Sequence, residues 1–394
     1  MDKYLDSMLP FLSVVEAVKT IPRKGWQIRG VPEPEHVGDH MHRMALICMA
    51  HPKFTDSDKL RAIQLALVHD AGEAIVGDIT PKDGISREQK ALRENLAFKF
   101  FDCLIRPSNP GFAAELAQLW REYEDKSTEI SRFVNQVDKF ECVQQAAIYD
   151  KRYRGKIDLD DFRSLTKQIT DPWLSAMAEK TIEEWDANKA RRKSTPCIIF
   201  VVGGPGVGKG TQCSLAAKEF NLGHLSLGDL LRAERSQSDS VFGEFIDESM
   251  NQSVVFPALL SMLLLKGAVE AALAEGKAGV LLDGFPRSVE QASAFEEEIA
   301  ECYSTISLEC STDAMVERIK TRASSGSARP DDDPEVVARR LDTFNKSNAS
   351  VTKHLQAKAF HTIDCSGAPD EVHVEMKKLV QQILTESKST KESQ

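Results

Sequence analysis

The stretch 197–211, CIIFVVGGPGVGKGT, restricts what the chain can fold into more than any other. A continuous apolar, β-branched run such as CIIFVV fits a strand buried on both faces. The glycines after it permit a tight turn whose backbone N–H groups converge on an anion. The helix that follows adds its positive N-terminal end. From Gly203 to Lys209 the spacing is G-x-x-x-x-G-K, the pattern of a phosphate-cradling loop. Gly204, Gly206, Gly208 and Gly210 with Thr211 would surround the phosphates, and Lys209 would bring a mobile cation to the β and γ groups.

Downstream of this loop, short apolar strands (GVLLD at 279–283, STISLEC at 304–310, FHTID at 360–364) alternate with helical stretches. Such alternation predicts a parallel sheet covered by helices. Upstream the pattern is different. Leu60 to Glu73, ENLAFKFFDCLI, FAAELAQLWREYE and FVNQVDKFECVQQAAIYD all repeat apolar residues at helical spacing, with no alternating strand among them. The 394 residues therefore divide into an all-α domain over 1–186, a polar linker ANKARRKSTP over 187–196, an α/β domain over 197–387 and a flexible tail over 388–394.

Bulk properties exclude several classes. The net charge of −10 disfavours a general nucleic-acid binder. No apolar run approaches the roughly 18 residues of a membrane span. The first twenty residues lack the basic region of a secretory signal. The eight cysteines include no C-x-x-C pair, against a zinc ribbon or a disulfide framework and in favour of the cytosol.

The GKGT ending of the loop, preceded by GGPG, resembles the adenylate kinase and UMP-CMP kinase family. HLSLGDLLRAE (224–234), LLDGFPRSVEQ (281–291) and SARPDDDPEVVARRLDTF (327–344) agree with it in order. The resemblance implies Mg-ATP as phosphoryl donor and a monophosphate site at Ser226, Arg232, Gly284, Arg287 and Gln291. It implies Lys209, Arg322, Arg329 and Arg340 around the transferred group, with Thr211 and Asp283 supporting Mg²⁺. Only ASSGSA separates Arg322 from Arg329, which matches the short-lid members. Leu227 stands where adenylate kinases have Thr and UMP-CMP kinases Ala, while Gln291 is usual in adenylate kinases. The reading leans to UMP or CMP, with AMP next.

In the helical half, VGDHMHRMA (37–45), LALVHDAGEAIVGDI (65–79) and FVNQVDKFE (133–141) form an H…HD…D pattern. With GWQIRGVPEPEHVGDHMHRM it resembles the HD-domain 5′-deoxynucleotidases from about residue 10 to residue 180. The resemblance implies His40, His69, Asp70 and Asp138 as ligands. Two nitrogens and two oxygens with open positions suit Mn²⁺, Co²⁺ or Fe²⁺ and tolerate Mg²⁺. Glu73, spaced to share a helix face with His69 and Asp70, is the expected general acid/base, with Asp78 assisting. Trp26 and Arg29 are candidates against the substrate sugar, although a core role for Trp26 is equally open. Arg23 is nearby.

The expected function is therefore double: removal of the 5′-phosphate from (deoxy)nucleoside monophosphates in one half, and ATP-dependent phosphorylation of nucleoside monophosphates in the other. The alternative is an enzyme in which one half only senses nucleotides. The expected partners are small nucleotides, without nucleic acid or membrane, in a homodimer formed through the helical half.

Overall fold

A computed structural model describes residues 7–192, 196–252, 254–301, 303–324 and 334–392. The chain divides into two compact units, Met1–Lys189 and Ala190–Gln394. No helix among the described residues is long and apolar enough to cross a membrane.

The first unit is helical, as the periodicity predicts. Its helices are α1 (Leu9–Val15), α2 (Lys24–Ile28), α3 (Val37–Met49), α4 (Asp56–Val68), α5 (Glu73–Val76), α6 (Arg87–Ile105), α7 (Pro110–Glu124), α8 (Glu129–Arg152) and α9 (Pro172–Arg192), with a 3-10 stretch over Asp160–Gln168. Side-chain caps fix where the long helices begin. Thr55 accepts the Asp58 N–H at the start of α4, and Thr128 accepts the Ser131 N–H at the start of α8. The core is the buried stripe shared by α3, α4 and α8, including Met44, Cys48, Ala62, Leu65, Ala66, Val134 and Val137.

Helical spacing aims the polar residues from these stripes. His40 lies one turn before Met44 on α3. His69 lies four residues after Leu65, and Asp138 four after Val134. Two expectations change in detail. The segment 187–192 of the expected linker continues α9, because Ala, Asn, Lys and Arg do not break a helix. Residues 388–392 of the expected tail likewise belong to the last helix.

The second unit is a five-stranded, all-parallel sheet in the order β2-β3-β1-β4-β5. In sequence it runs β1 (Ile198–Val202), α10 (Lys209–Phe220), β2 (Gly223–Ser226), α11 (Leu227–Arg235), α12 (Gly243–Gln252), α13 (Ala258–Ala274), β3 (Val280–Asp283), α14 (Val289–Glu298), β4 (Ser304–Glu309), α15 (Thr312–Ser324), α16 (Pro334–Leu355), β5 (Ala359–Asp364) and α17 (Pro369–Glu392). All five residues of β1 are buried. Ile198, Phe200 and Val202 enter one core cluster, Ile199 and Val201 the other. That two-sided burial is why CIIFVV is apolar throughout rather than alternating.

Candidate functional sites

The helical unit brings His40, His69 and Asp70 together, with ligand atoms within 4.8 Å of one another. His40 Nε2 lies 3.3 Å from Asp138 Oδ1, and His69 Nε2 lies 3.2 Å from Asp70 Oδ2. Both Nε2 atoms are buried without a hydrogen-bond partner, as is Glu73 Oε2. Such orphaned groups cost free energy unless something completes them. Two lone pairs facing two carboxylates fit a divalent cation. The far sides of the rings are anchored: His40 Nδ1 lies 2.6 Å from Glu141 Oε2 and His69 Nδ1 lies 2.9 Å from the Ala66 carbonyl oxygen.

Electrostatics separates the carboxylates. Burial raises Asp70, but the adjacent His69, with Arg23 and His40, holds it well below the usual carboxylate range. Burial also raises Asp138, yet the close approach of His40 and the Lys139 charge keep it low. Burial and the Arg23 guanidinium push His40 down, but Glu141 and Asp138 outweigh them and lift it to about 9. Glu73 goes the other way: burial, then the Asp70 and Asp78 charges, raise it well above 4.5. An acid kept protonated beside ionised ligands can deliver a proton.

The expectation that Glu73 shares a helix with His69 does not hold. The chain leaves α4 at Val68, and short-range bonds from Ala71 N to Val68 O and from Glu73 N to Asp70 O tighten 69–72 into a turn before α5. The turn still buries Glu73 beside Asp70 on the same cavity.

That cavity, about 560 Å³, is lined by Arg23, Trp26, Glu73, Asp78, Lys90 and Glu94 among others. Asp78 accepts the Lys24 N–H at 2.7 Å. Trp26 is a core residue that also borders the cavity. It is 2% exposed, stacks on Phe162 at 4.4 Å and donates from Nε1 to Glu35, while one side borders the cavity. Arg29 does not border the cavity; its guanidinium covers Phe162 and pairs with Asp161. The arginine that does is Arg23, 3.0 Å from Asp70. The sequence places Arg23 and Arg29 alike near Trp26, and Glu141, one turn past Asp138, is legible only as a helix-face neighbour.

In the second unit a cavity of about 890 Å³ opens at the C-terminal ends of the strands, bordered by Lys209, Thr211, Ser226, Arg232, Asp283, Arg287 and Arg340 among others. Lys209 Nζ donates to the carbonyl oxygens of Gly203 and Gly204 at 2.8 and 2.9 Å. Burial pulls its pKa down to about 8 against the opposing pull of Asp283. The loop needs glycine at Gly206, where φ is +83° and a Cβ would run into the Met315 carbonyl oxygen and Ile319. Gly208, Gly210 and Gly284 also edge the cavity, while Gly204 contributes a carbonyl oxygen to which Lys209 donates. Gly210 passes so close to Asp283 that a Cβ there would sit 3.4 Å from Oδ2. Ser226 caps α11 by accepting the Asp229 N–H at 3.3 Å. Arg232 pairs with Asp229 at 2.5 Å, and Arg287 donates from Nε to the Gly284 carbonyl oxygen at 3.0 Å.

The two residues expected to read the base turn inward. Leu227 is fully buried in the core with Ile246, Phe256 and Leu260. Gln291 is 1% exposed; its amide donates to Phe256 O and Ser261 Oγ and accepts the Arg287 N–H. Arg329 and the side chain of Arg322 lie outside the described residues. One residue not anticipated from sequence is Arg318 on α15, which borders the cavity and donates to the Val207 and Cys365 carbonyl oxygens at 3.2 and 2.7 Å.

Comparison with known proteins divides at the same place as the fold. A family model described as HD domain matches residues 15–178, and one described as adenylate kinase matches 201–360. Over 193 residues, 47% of this chain, it is 35% identical to the 5′-deoxynucleotidase hdd1 of Schizosaccharomyces pombe, covering 96% of that protein. Over 188 residues, 48% of this chain, it is 34% identical to a uridylate kinase of Saccharomyces cerevisiae, covering 92% of it. It is also 34% identical over 201 residues, again 48% of this chain, to a UMP-CMP kinase of Lentinula edodes, covering 88%.

Proposed function

The chain belongs to the HD-domain 5′-deoxynucleotidase family over its N-terminal half and to the adenylate kinase family, with its UMP-CMP kinase branch, over its C-terminal half, and we propose that it is a bifunctional nucleotide enzyme. The first half removes the 5′-phosphate of (deoxy)nucleoside monophosphates. The second phosphorylates nucleoside monophosphates from Mg-ATP, UMP and CMP before AMP. The observation that carries the proposal is that each unit gathers the described members of its expected site. In one, two unpartnered imidazole nitrogens face Asp70 and Asp138. In the other, Lys209 is folded onto its own loop carbonyls with Asp283 and four arginines, Arg232, Arg287, Arg318 and Arg340, around the same space.

In the nucleotidase half, His40, His69, Asp70 and Asp138 would hold a divalent transition metal or Mg²⁺. When bound, the metal supplies an acidified water and screens the phosphate charge. The chain's own residues do the rest. Arg23 attracts the phosphate into the cavity, Trp26 bounds the sugar side, and Asp78 tethers the Lys24 backbone beneath it. Glu73, held protonated, delivers the proton that the departing 5′-oxygen requires.

The kinase half needs positioning and charge rather than covalent chemistry. Lys209 exchanges its two carbonyl partners for the β and γ phosphates. Arg232 and Arg287 hold the acceptor monophosphate, with Arg340 on the facing wall, while Thr211 and Asp283 stand where Mg²⁺ would enter with ATP.

Pairing of two chains through the helical unit belongs to the same proposal. Leu92, Leu96 and Phe100 form an exposed apolar row at four-residue spacing on α6. The seven described cysteines are all free, which suits the cytosol.

Two substitutions in the full chain test the division of labour. Lys209→Ala should abolish phosphoryl transfer and leave dephosphorylation intact, and Asp70→Ala should do the reverse. Retention of both activities in both variants would sink the assignment. A panel of AMP, CMP, UMP and their deoxy forms decides the substrate, and equal rates across it would remove the pyrimidine preference.

A further inference from the structure

Beside the kinase cavity lies a group of three residues, Cys213, His224 and Asp283, of which the proposed phosphoryl transfer uses only Asp283. Cys213 is on α10, one turn after Lys209. His224 is on β2, and Asp283 ends β3, paired in register with Ser226, two residues beyond His224. One ligand atom from each of Cys213, His224 and Asp283 lies within 4.8 Å of the others. His224 Nε2 is 3.4 Å from Asp283 Oδ2. The Cys213 side chain is fully buried and its thiol makes no hydrogen bond among the described residues.

Their closeness follows from the fold. β2 and β3 are neighbours in the sheet, so alternate residues bring His224 and Asp283 to one side. α10 crosses that side so closely that Gly210 leaves only van der Waals room beside Asp283. Cys213, three residues further along the helix, then shares the face of Gly210.

From this geometry we infer that the kinase half carries a second cation site, selective for soft divalent ions of the zinc and cadmium class. A tetrahedral zinc ion with ligands at about 2.0–2.3 Å needs neighbouring ligand atoms roughly 3.5 Å apart, a closure of at most about 1.3 Å from separations within 4.8 Å. Thiolate and imidazole suit such ions, whereas Mg²⁺ takes oxygen donors. On binding, the Cys213 S–H bond breaks, the sulfur electron pair goes to the metal and the proton leaves to solvent. Thiolate and carboxylate then bring two negative charges to offset Lys209 and Arg287 nearby. The fourth position remains open to the cavity.

The consequence is inhibition. Asp283 cannot both bind a soft ion and orient the Mg²⁺ of an incoming nucleotide. The site itself does not depend on the kinase reading; only this consequence does.

The experiment uses the full chain. Co²⁺ bound through a thiolate gives a near-ultraviolet charge-transfer band, which is read independently of activity. The band should appear in the unaltered protein, persist in Cys142→Ala and vanish in Cys213→Ser. In parallel, Zn²⁺ or Cd²⁺ added to the Mg-dependent kinase assay should inhibit, and Cys213→Ser should keep its Mg-dependent rate while needing at least tenfold more Zn²⁺ for half-inhibition. Should Cys213→Ser fail to fold, His224→Gln is read by the same two measures. A band that is absent, or that follows Cys142, overturns the site. A Cys213-dependent band without any inhibition overturns the competition with Mg²⁺. A normal band in a chain without kinase activity would leave the site standing and count against the kinase reading instead.

Discussion

His40 Nδ1 and Glu141 Oε2 meet at 2.6 Å between α3 and α8, with both side chains sealed from solvent. Arg43 pairs with the other Glu141 oxygen, so the buried carboxylate is neutralised without being protonated. This fixes the proton of the imidazole on Nδ1 and points the Nε2 lone pair toward Asp70 and Asp138, the proposed metal site. His69 has only a neutral carbonyl oxygen behind it. The carboxylate behind His40 raises its basicity.

Glu141→Gln should weaken metal binding about 10–100-fold, as loss of a carboxylate behind a ligating histidine does elsewhere. The amide keeps the volume and one hydrogen bond, so the fold should survive. The measurement is nucleotidase rate against metal concentration: the half-saturating concentration should rise while the plateau recovers. An unchanged metal dependence would show that Glu141 only fills the core.

Glu94 gives the helical unit a pH dependence of stability. Its side chain is 11% exposed, 3.5 Å from Lys90, and burial raises its pKa from 4.5 to about 7. The folded state thus holds a proton that the unfolded state releases. The resulting stability is fully present below about pH 4.5 and is lost as pH rises through about 7. Glu94→Gln should flatten this slope and, at pH 8, stabilise the unit by on the order of 2 kcal/mol. All four tryptophans, Trp26, Trp120, Trp173 and Trp185, lie in this unit, so denaturant unfolding followed by tryptophan fluorescence reads it within the intact chain. A variant with the original slope would refute the assignment.

Gly206→Ala tests the phosphate loop. A methyl group there faces both a left-handed backbone, costing about 1–3 kcal/mol, and overlap with the Met315 carbonyl oxygen. The loop must move, and its N–H groups lose their common focus. Kinase activity should fall at least a hundredfold, with the nucleotidase rate and the tryptophan-monitored transition unchanged. Kinase activity within threefold of the original would mean that the loop tolerates displacement.

What the sequence made legible follows from the range of the interactions involved. The loop at Gly203 and the H…HD…D pattern were readable because short spacings and buried strands constrain them locally. The helix from Leu60 was readable, but its end was not: nothing in 69–72 but Gly72 disfavours a helix, and the short-range bonds that make the turn appear only in the fold. Arg23 and Arg29 are equivalent in sequence, six residues apart. Only tertiary structure shows that Arg29 is taken by Phe162 and Asp161 while Arg23 faces Asp70. The same holds for Leu227 and Gln291, whose place in the core is decided by residues up to 35 positions away. Leu227 and Gln291 therefore support the cavity wall rather than line it.

Lys209 should make nucleotide binding pH-dependent in a window where few side chains titrate. Burial lowers it to about 8, so in the free enzyme it loses its proton as pH rises from about 7 to 9. Phosphate binding requires the charged form, and incoming phosphates raise the pKa again. Proton uptake must then accompany binding above pH 8, and the Kd for ATP should rise about tenfold for each pH unit beyond that point. For stability the sign is opposite. The folded, unliganded state holds fewer protons than the unfolded one between about 8 and 10.5, so the lysine's destabilising contribution diminishes as pH rises through that window. Calorimetric titration of ATP at pH 7, 8 and 9 in two buffers of different ionisation enthalpy measures both Kd and proton uptake. Lys209→Arg, whose guanidinium stays charged throughout, should bind with a flat pH profile even where its phosphoryl-transfer rate is low. A falling profile in that variant would move the titrating group elsewhere in the cavity.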